Sequence, residues 1–378
     1  MAVRLRHQKK LWLLKRYRGR GYVDTSVAPR WWLTRPDEIE AYLRSLARGQ
    51  RRGGVEVLEV GRSAGGRPIL AAAWGAREDL PGRTTKSVAC AIGGGSPEAF
   101  YGRGQRQRQV FLFVGATHGT EFEGTVAALN FLNAVVTGKD LRGRRQPRLA
   151  ELGRRLRLVI IPIFNMDGRE RFREVRHLIG VAPEALREIT DGNWKDGRPI
   201  GWPQCMLYNP LPVDKVDPLG SYFNDNGIDL GYDCGFGWDL QPETRGLVRL
   251  MRDELPDCVL FSHSNNGSLV EPPHTYLPPH FRQRVMQISA VVGMRCYREG
   301  LKKHGIPMRP ESTRHVFYQM ELAYHVCGAL PLCVEFPCGY QNYPGNHEEI
   351  LDIGLCALEE IAAFGVAYGF RPPEMIKR

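Results

Sequence analysis

Val110-Phe111-Leu112-Phe113-Val114-Gly115-Ala116 is followed at once by Thr117-His118-Gly119-Thr120-Glu121. The first segment is of strand length and apolar throughout, as a strand covered on both faces requires. The second is a turn that leads into a helical pattern. At such a turn, positions i and i+3 come to one side, so the imidazole of His118 and the carboxylate of Glu121 can converge on one cation. Among ten histidines one H-x-x-E arises readily by chance. Its weight comes from what the rest of the chain delivers to the same place.

Three more apolar runs have the same character: Arg157–Ile163, Cys258–Ser262 and Leu330–Phe336. The second ends on His263. The third is broken by one acid, Glu335, which is costly on a buried strand unless it is paired, metal-bound or functional. Helical spacing covers Thr125–Val136, Glu243–Glu254, Pro279–Glu299 and His347–Tyr368, and Thr34-Arg35-Pro36-Asp37 reads as a capped helix start. Shorter β-rich runs lie at Val55–Val60, Pro68–Trp74 and Ser87–Ile92, the first two joined by a turn at Gly61–Arg67. This alternation predicts one α/β domain, a sheet with helices on both faces. Residues 170–225 are polar and rich in Gly, Pro, Trp and Arg, and read as long excursions over one end of the sheet.

Two histidines and a glutamate form a catalytic zinc set that leaves a position for water, and a separate glutamate can act as general base. The competing reading makes His118 and His263 hydrogen-bonded core residues and gives Glu335 an arginine partner. Glu321 with His325, and Glu271 with His274, also have ligand-like spacing. Neither pair follows a buried strand, and both read as surface or outlying polar residues.

The composition is that of a soluble globular protein: 378 residues, 43% hydrophobic and 25% charged. No apolar run reaches the roughly 18 residues that a membrane helix needs. Of the net charge of +11, eight units lie in residues 1–23 (Arg4, Arg6, Lys9, Lys10, Lys15, Arg16, Arg18, Arg20), which leaves +3 on the rest. The division expected is a basic arm, 1–23, and a catalytic body, 24–378. The arm reads as a solvated tail, and its short apolar stretch Leu11–Leu14 does not make a signal peptide. No nucleic-acid motif accompanies it, so no specific nucleic-acid partner is expected. Nine scattered cysteines, without C-x-x-C, suggest buried reduced thiols and a cytoplasmic setting.

Taken in order, these segments resemble the zinc carboxypeptidase family, whose archetype is carboxypeptidase A. The resemblance spans roughly residues 34–365. It is carried by Gly61-Arg62-Ser63 through Gly66-Arg67-Pro68-Ile69, by the H-x-x-E at 118–121, and by Asn165-Met166-Asp167-Gly168, where the family usually has N-P-D-G. Asn226-Gly227-Ile228-Asp229-Leu230, Pro242-Glu243-Thr244-Arg245, His263 and Glu335 complete it. The resemblance implies a mostly parallel mixed sheet and one zinc ion bound by His118, Glu121 and His263. It also implies Glu335 as general base, and Asp229 as the carboxylate that orients a ligand histidine.

The departures concern substrate. Where the family has an Asn-Arg pair that clamps the substrate's C-terminal carboxylate, this chain has Gly231-Tyr232. Neither offers the bidentate fork of a guanidinium. The family's oxyanion-stabilising Arg follows a Trp; here Lys195 follows Trp194, with Arg198 nearby. Tyr318 is the nearest counterpart of the family's mobile-loop Tyr. The expectation is a zinc hydrolase of peptide or amide bonds, poor on free C-termini. A zinc amidase or deacylase on another acyl substrate, held by Arg169, Arg171, Arg173 and Arg176, is the enzymatic alternative. A non-catalytic binding module on the same fold is the other.

Overall fold

The computed structural model describes residues 23–49, 54–78, 107–235, 239–265, 269–273, 276–302, 317–340 and 344–372. The basic arm up to residue 22, the expected strand Ser87–Ile92 and His274 lie outside these residues.

The chain runs through α1 (Pro36–Arg48), β1 (Glu56–Arg62), β2 (Pro68–Trp74), β3 (Val110–Val114), α2 (Glu123–Thr137), α3 (Pro147–Arg154), β4 (Arg157–Ile161), α4 (Met166–Arg171) and α5 (Pro183–Thr190). It continues through β5 (Gly192–Trp194), β6 (Val216–Leu219), α6 (Pro242–Glu254), β7 (Cys258–Ser264), α7 (Pro279–Arg298), α8 (Gln319–Cys327), β8 (Leu330–Phe336) and α9 (His347–Tyr368).

Six strands form one sheet in the order β1-β2-β4-β3-β7-β8. The pairs β4–β3, β3–β7 and β7–β8 are parallel, and the hairpin β1–β2 joins β4 antiparallel. The apolar runs are continuous because alternate residues enter different layers. Phe111, Phe113, Leu158, Ile160, Leu260 and Leu332 face the layer of α1, α2, α3, α7 and α9. Leu112, Val114, Val159, Ile161, Val259 and Phe261 face α6 and α8. Helices thus cover both faces, as the alternation of patterns predicts. No helix among the described residues is long and apolar enough to cross a membrane.

Two local expectations change. The first helix is capped at Arg35 without a side-chain bond, and the Thr34 hydroxyl is buried instead of capping. The start rests on Pro36 in the first turn and on Asp37 and Glu38, whose charges suit a helix N-terminus. Residues 170–225 are not plain loop either. They hold α5 and a separate two-stranded sheet, β5–β6, over the core of Ile200, Cys205, Leu211, Val216 and Phe223.

Candidate active site

The carboxyl ends of β3, β7 and β8 lie side by side, and each delivers one side chain. After β3 the backbone turns through Ala116 at φ +48°, a conformation that costs an L-residue about 1 kcal/mol or more. The turn is held by Phe164 N–H to Gly115 O (2.8 Å) and Asn165 N–H to Ala116 O (3.0 Å). Gly119 then passes so close to Gly168 and Arg169 that a Cβ would stand 2.3 Å from their backbone. Only glycine fits between His118 and Glu121 at this approach. Glu121 N–H closes the turn on His118 O at 3.0 Å.

His263 stands directly opposite Glu335 in the parallel ladder of β7 and β8. Ladder partners project to the same face, here the α8 side. Glu335 is half-buried, whereas His118, Glu121 and His263 are buried.

The three buried groups converge on one point. Glu121 Oε2 is 3.0 Å from His118 Nδ1 and 3.0 Å from His263 Nδ1, and the rings are 4.8 Å apart. His118 Nδ1 is buried without a hydrogen bond, although the carboxylate is so near. A tetrahedral zinc at about 2.0–2.1 Å from each ligand would hold them roughly 3.3 Å apart. The donor set therefore fits one zinc ion.

The outward nitrogens are held as well. His118 Nε2 is 3.3 Å from Asp229 Oδ1, and the Tyr222 ring stacks on the imidazole at 3.9 Å. Asp229 Oδ1 also accepts from Gly231 N–H (2.9 Å), and Asp229 N–H donates to Asn209 Oδ1 (3.0 Å). The turn role and the histidine-orienting role of Asp229 are thus filled by one oxygen. His263 Nε2 lies 3.0 Å from Tyr318 Oη and 2.7 Å from the Gln319 amide.

Burial disfavours a charged His118, but the carboxylates of Glu121 and Asp229 outweigh it and hold its pKa well above the ordinary value. Burial raises Glu121 while His118 and His263 pull it down, and the pull prevails. For Glu123 burial prevails over the hydrogen bond from Ser264 Oγ (2.6 Å to Oε2) and the charge of Arg169, and pushes it up to about 8.

The motif residues around the site act as scaffold. Asp167 accepts from Ser63 Oγ (2.5 Å), Gly65 N–H (2.9 Å), Arg67 Nη1 (2.5 Å) and Asp225 N–H (3.1 Å). One buried carboxylate thus ties the β1–β2 turn to α4 and to the loop that carries Asp229. Glu243 accepts from Ala64 N–H (2.8 Å) on the same turn.

Several expected roles are corrected. Lys195 and Arg198 are exposed beside β5, and Arg198 pairs with Asp196 at 2.8 Å with 76% of its side chain exposed. Neither supplies the fixed, water-excluded donor that oxyanion stabilisation needs. The four loop arginines are consumed internally. Arg169 donates to the carbonyls of Gly119, Phe172 and Val175, and Arg171 to those of Gly220 and Phe223 and to Asp225. Arg173 pairs with Asp37 and Glu170, and Arg176 with Glu38. Glu321 is fully buried rather than superficial, and closes a capping box on Tyr318 N–H at 2.8 Å. Tyr318 is itself packed at 9% exposure, against Gly231 and edge-on to Tyr232 at 4.8 Å.

Sequence reasoning missed Tyr222, Gln319 and Asn209. Asn209 and Gln319 sit far along the chain from the groups they touch. Tyr222 lies close to the Asn226–Leu230 motif, but no pattern marks it.

Residues 39–201 match the sequence model of the zinc carboxypeptidase family. Among solved structures, the thrombin-activatable fibrinolysis inhibitor superposes with a TM-score of 0.54 at 12% identity, covering 96% of this chain and 81% of that one. Carboxypeptidase A from Helicoverpa armigera gives 0.52 at 16%, covering 95% and 80%. A metallo-carboxypeptidase from Burkholderia cenocepacia gives 0.50 at 14%, covering 87% and 68%. At such identities the likeness is one of fold. No curated protein sequence matches the chain. Residues 39–201 match the sequence model of the zinc carboxypeptidase family, the described body is similar in fold to solved carboxypeptidases, and His118, Glu121 and His263 fit a single zinc ion.

Proposed function

We propose that the protein is a zinc-dependent hydrolase of peptide or amide bonds, with His118, Glu121 and His263 as metal ligands and Glu335 as general base. The observation that carries this is the meeting of three ligand atoms, all within 4.8 Å of one another, beside the strand position of Glu335. Zinc bound there supplies Lewis-acid activation of water and of the scissile carbonyl. Glu335 takes the proton of the attacking water and hands it to the leaving nitrogen. Its half-exposed position suits a group that must meet solvent and substrate in turn. Asp229 keeps the hydrogen of His118 on Nε2 and leaves Nδ1 for the metal.

The substrate is an amide without a free carboxylate at the Gly231–Tyr232 wall, as in a blocked peptide or an acylated amine. The support is chemical: that wall is aromatic, and the four loop arginines once expected to hold an anion are spent on internal contacts. The test compares peptides with free C-termini, their carboxamides and N-acylated amino acids on zinc-loaded protein. Release of C-terminal residues at ordinary family rates would refute the substrate assignment. Glu335→Gln should keep its zinc and lose about 10²-fold or more in turnover, as removal of a general base does. A variant that keeps full activity removes Glu335 from the reaction, and a binding module would keep its function too.

A further inference from the structure

Tyr318 precedes α8 and touches both the metal ligand set and the position of the missing clamp. Its hydroxyl is 3.0 Å from His263 Nε2. A Cβ built on Gly231 would lie 2.5 Å from its Cε2 and 2.7 Å from its Oη. Contacts that short against a rigid, buried ring are not relieved by a small shift. The backbone that carries the ring is fixed by the bond from Tyr318 N–H to Glu321 Oε2 at the start of α8. Gly231 is not among the glycines with positive φ. Its need for glycine therefore comes from the ring above it rather than from its own backbone.

A ligand histidine needs a fixed ring and a partner for its second nitrogen. Nδ1 of His263 faces Glu121, so Nε2 carries the hydrogen when Nδ1 binds a metal, and that hydrogen needs an acceptor. Tyr318 Oη stands there; the Gln319 amide nitrogen, 2.7 Å from the same ring nitrogen, is a donor and offers no acceptor, so that role falls to Tyr318. The far end of Gln319 is 3.2 Å from Thr117 Oγ1, one residue before His118. Two consecutive residues at the start of α8 thus reach both histidine-bearing strand ends.

Resting on the zinc reading above, we infer that Tyr318 is a positioning residue for His263, and that its ring occupies the space a side chain at position 231 would need. The residue that steadies the metal ligand is then the one that forbids a clamp at 231.

The experiment measures zinc affinity by chelator competition, and the melting temperature of the metal-free protein, for the full chain and four variants. Tyr318→Phe keeps the ring and removes only the acceptor; it should raise the zinc dissociation constant about tenfold. Gly231→Ala should weaken zinc binding at least as much by displacing the ring. In a Tyr318→Ala background, where the ring is gone, Gly231→Ala should add nothing. Unchanged zinc affinity in Tyr318→Phe, with or without a lower metal-free melting temperature, overturns the inference. So does a Gly231→Ala effect of equal size with and without the ring. A wild-type chain that takes up no zinc overturns the hydrolase reading instead.

Discussion

Asp229 shows how much one side chain can decide. A single oxygen, Oδ1, accepts from Gly231 N–H and lies 3.3 Å from His118 Nε2. The two duties separate on substitution. Asn keeps the oxygen that caps the turn and removes the negative charge that raises the basicity of His118. Asp229→Asn should leave the metal-free melting temperature close to wild type and lower zinc affinity about tenfold, measured by chelator competition. A large fall in metal-free stability would mean that the carboxylate serves the turn first. The residues proposed to bind metal were legible in the sequence because they stand at the ends of buried strands, where a polar group stands out. Their partners were not. Tyr222 and Gln319 are ordinary residues of a loop and of a helix start, and only the folded chain brings them to the imidazoles.

Among elements, the β1–β2 hairpin depends on acids contributed by two other segments. Glu243, in the first turn of α6, is buried against Ala64 N–H, and burial pushes its pKa up to about 7. A carboxyl with a raised folded-state pKa favours folding while protonated, and that contribution is lost as pH rises from its ordinary value through about 7. Glu243→Gln mimics the protonated group. The variant should match wild type in melting temperature near pH 5 and exceed it near pH 8. An equal difference at both values would mean that Glu243 stays ionised in the fold. Element positions were readable from apolar spacing to within about two residues, as α9 and the four buried strands show. The capping of α1 was not, because Thr34 is drawn into the core instead of facing the helix N-terminus. The excursion between α4 and the Asp229 turn was under-read for a related reason. Its small sheet is held by contacts between residues 192–194 and 216–219, which leave no periodic mark on so short a strand.

Across the whole molecule, the order β4-β3-β7-β8 turns three sequence-distant strand ends into one site. Because the sheet is packed on both faces, the ligands are held in place before any metal arrives, and the cost falls on the metal-free state. There, Glu121 and Asp229 keep a proton on His118 well above its ordinary pKa. The stability this provides is present below about pH 6.5 and is lost as pH rises through the folded-state value. Zinc requires the neutral ring and displaces that proton, so its affinity grows as pH rises. Both effects widen the gap between loaded and stripped protein in the same direction. A ligand at about a thousand times its dissociation constant adds roughly 4 kcal/mol to the folded state. Removing zinc with a chelator should therefore lower the melting temperature by several degrees near pH 8 and by much less near pH 5.5, with recovery on adding zinc but not magnesium. The absence of magnesium rescue follows from the ligands, since a site with two imidazoles offers a hard oxygen-seeking ion too few oxygens. A gap that is equal at both pH values would mean that the ion does not displace the proton of His118, and the three strand ends would then meet for a reason other than zinc.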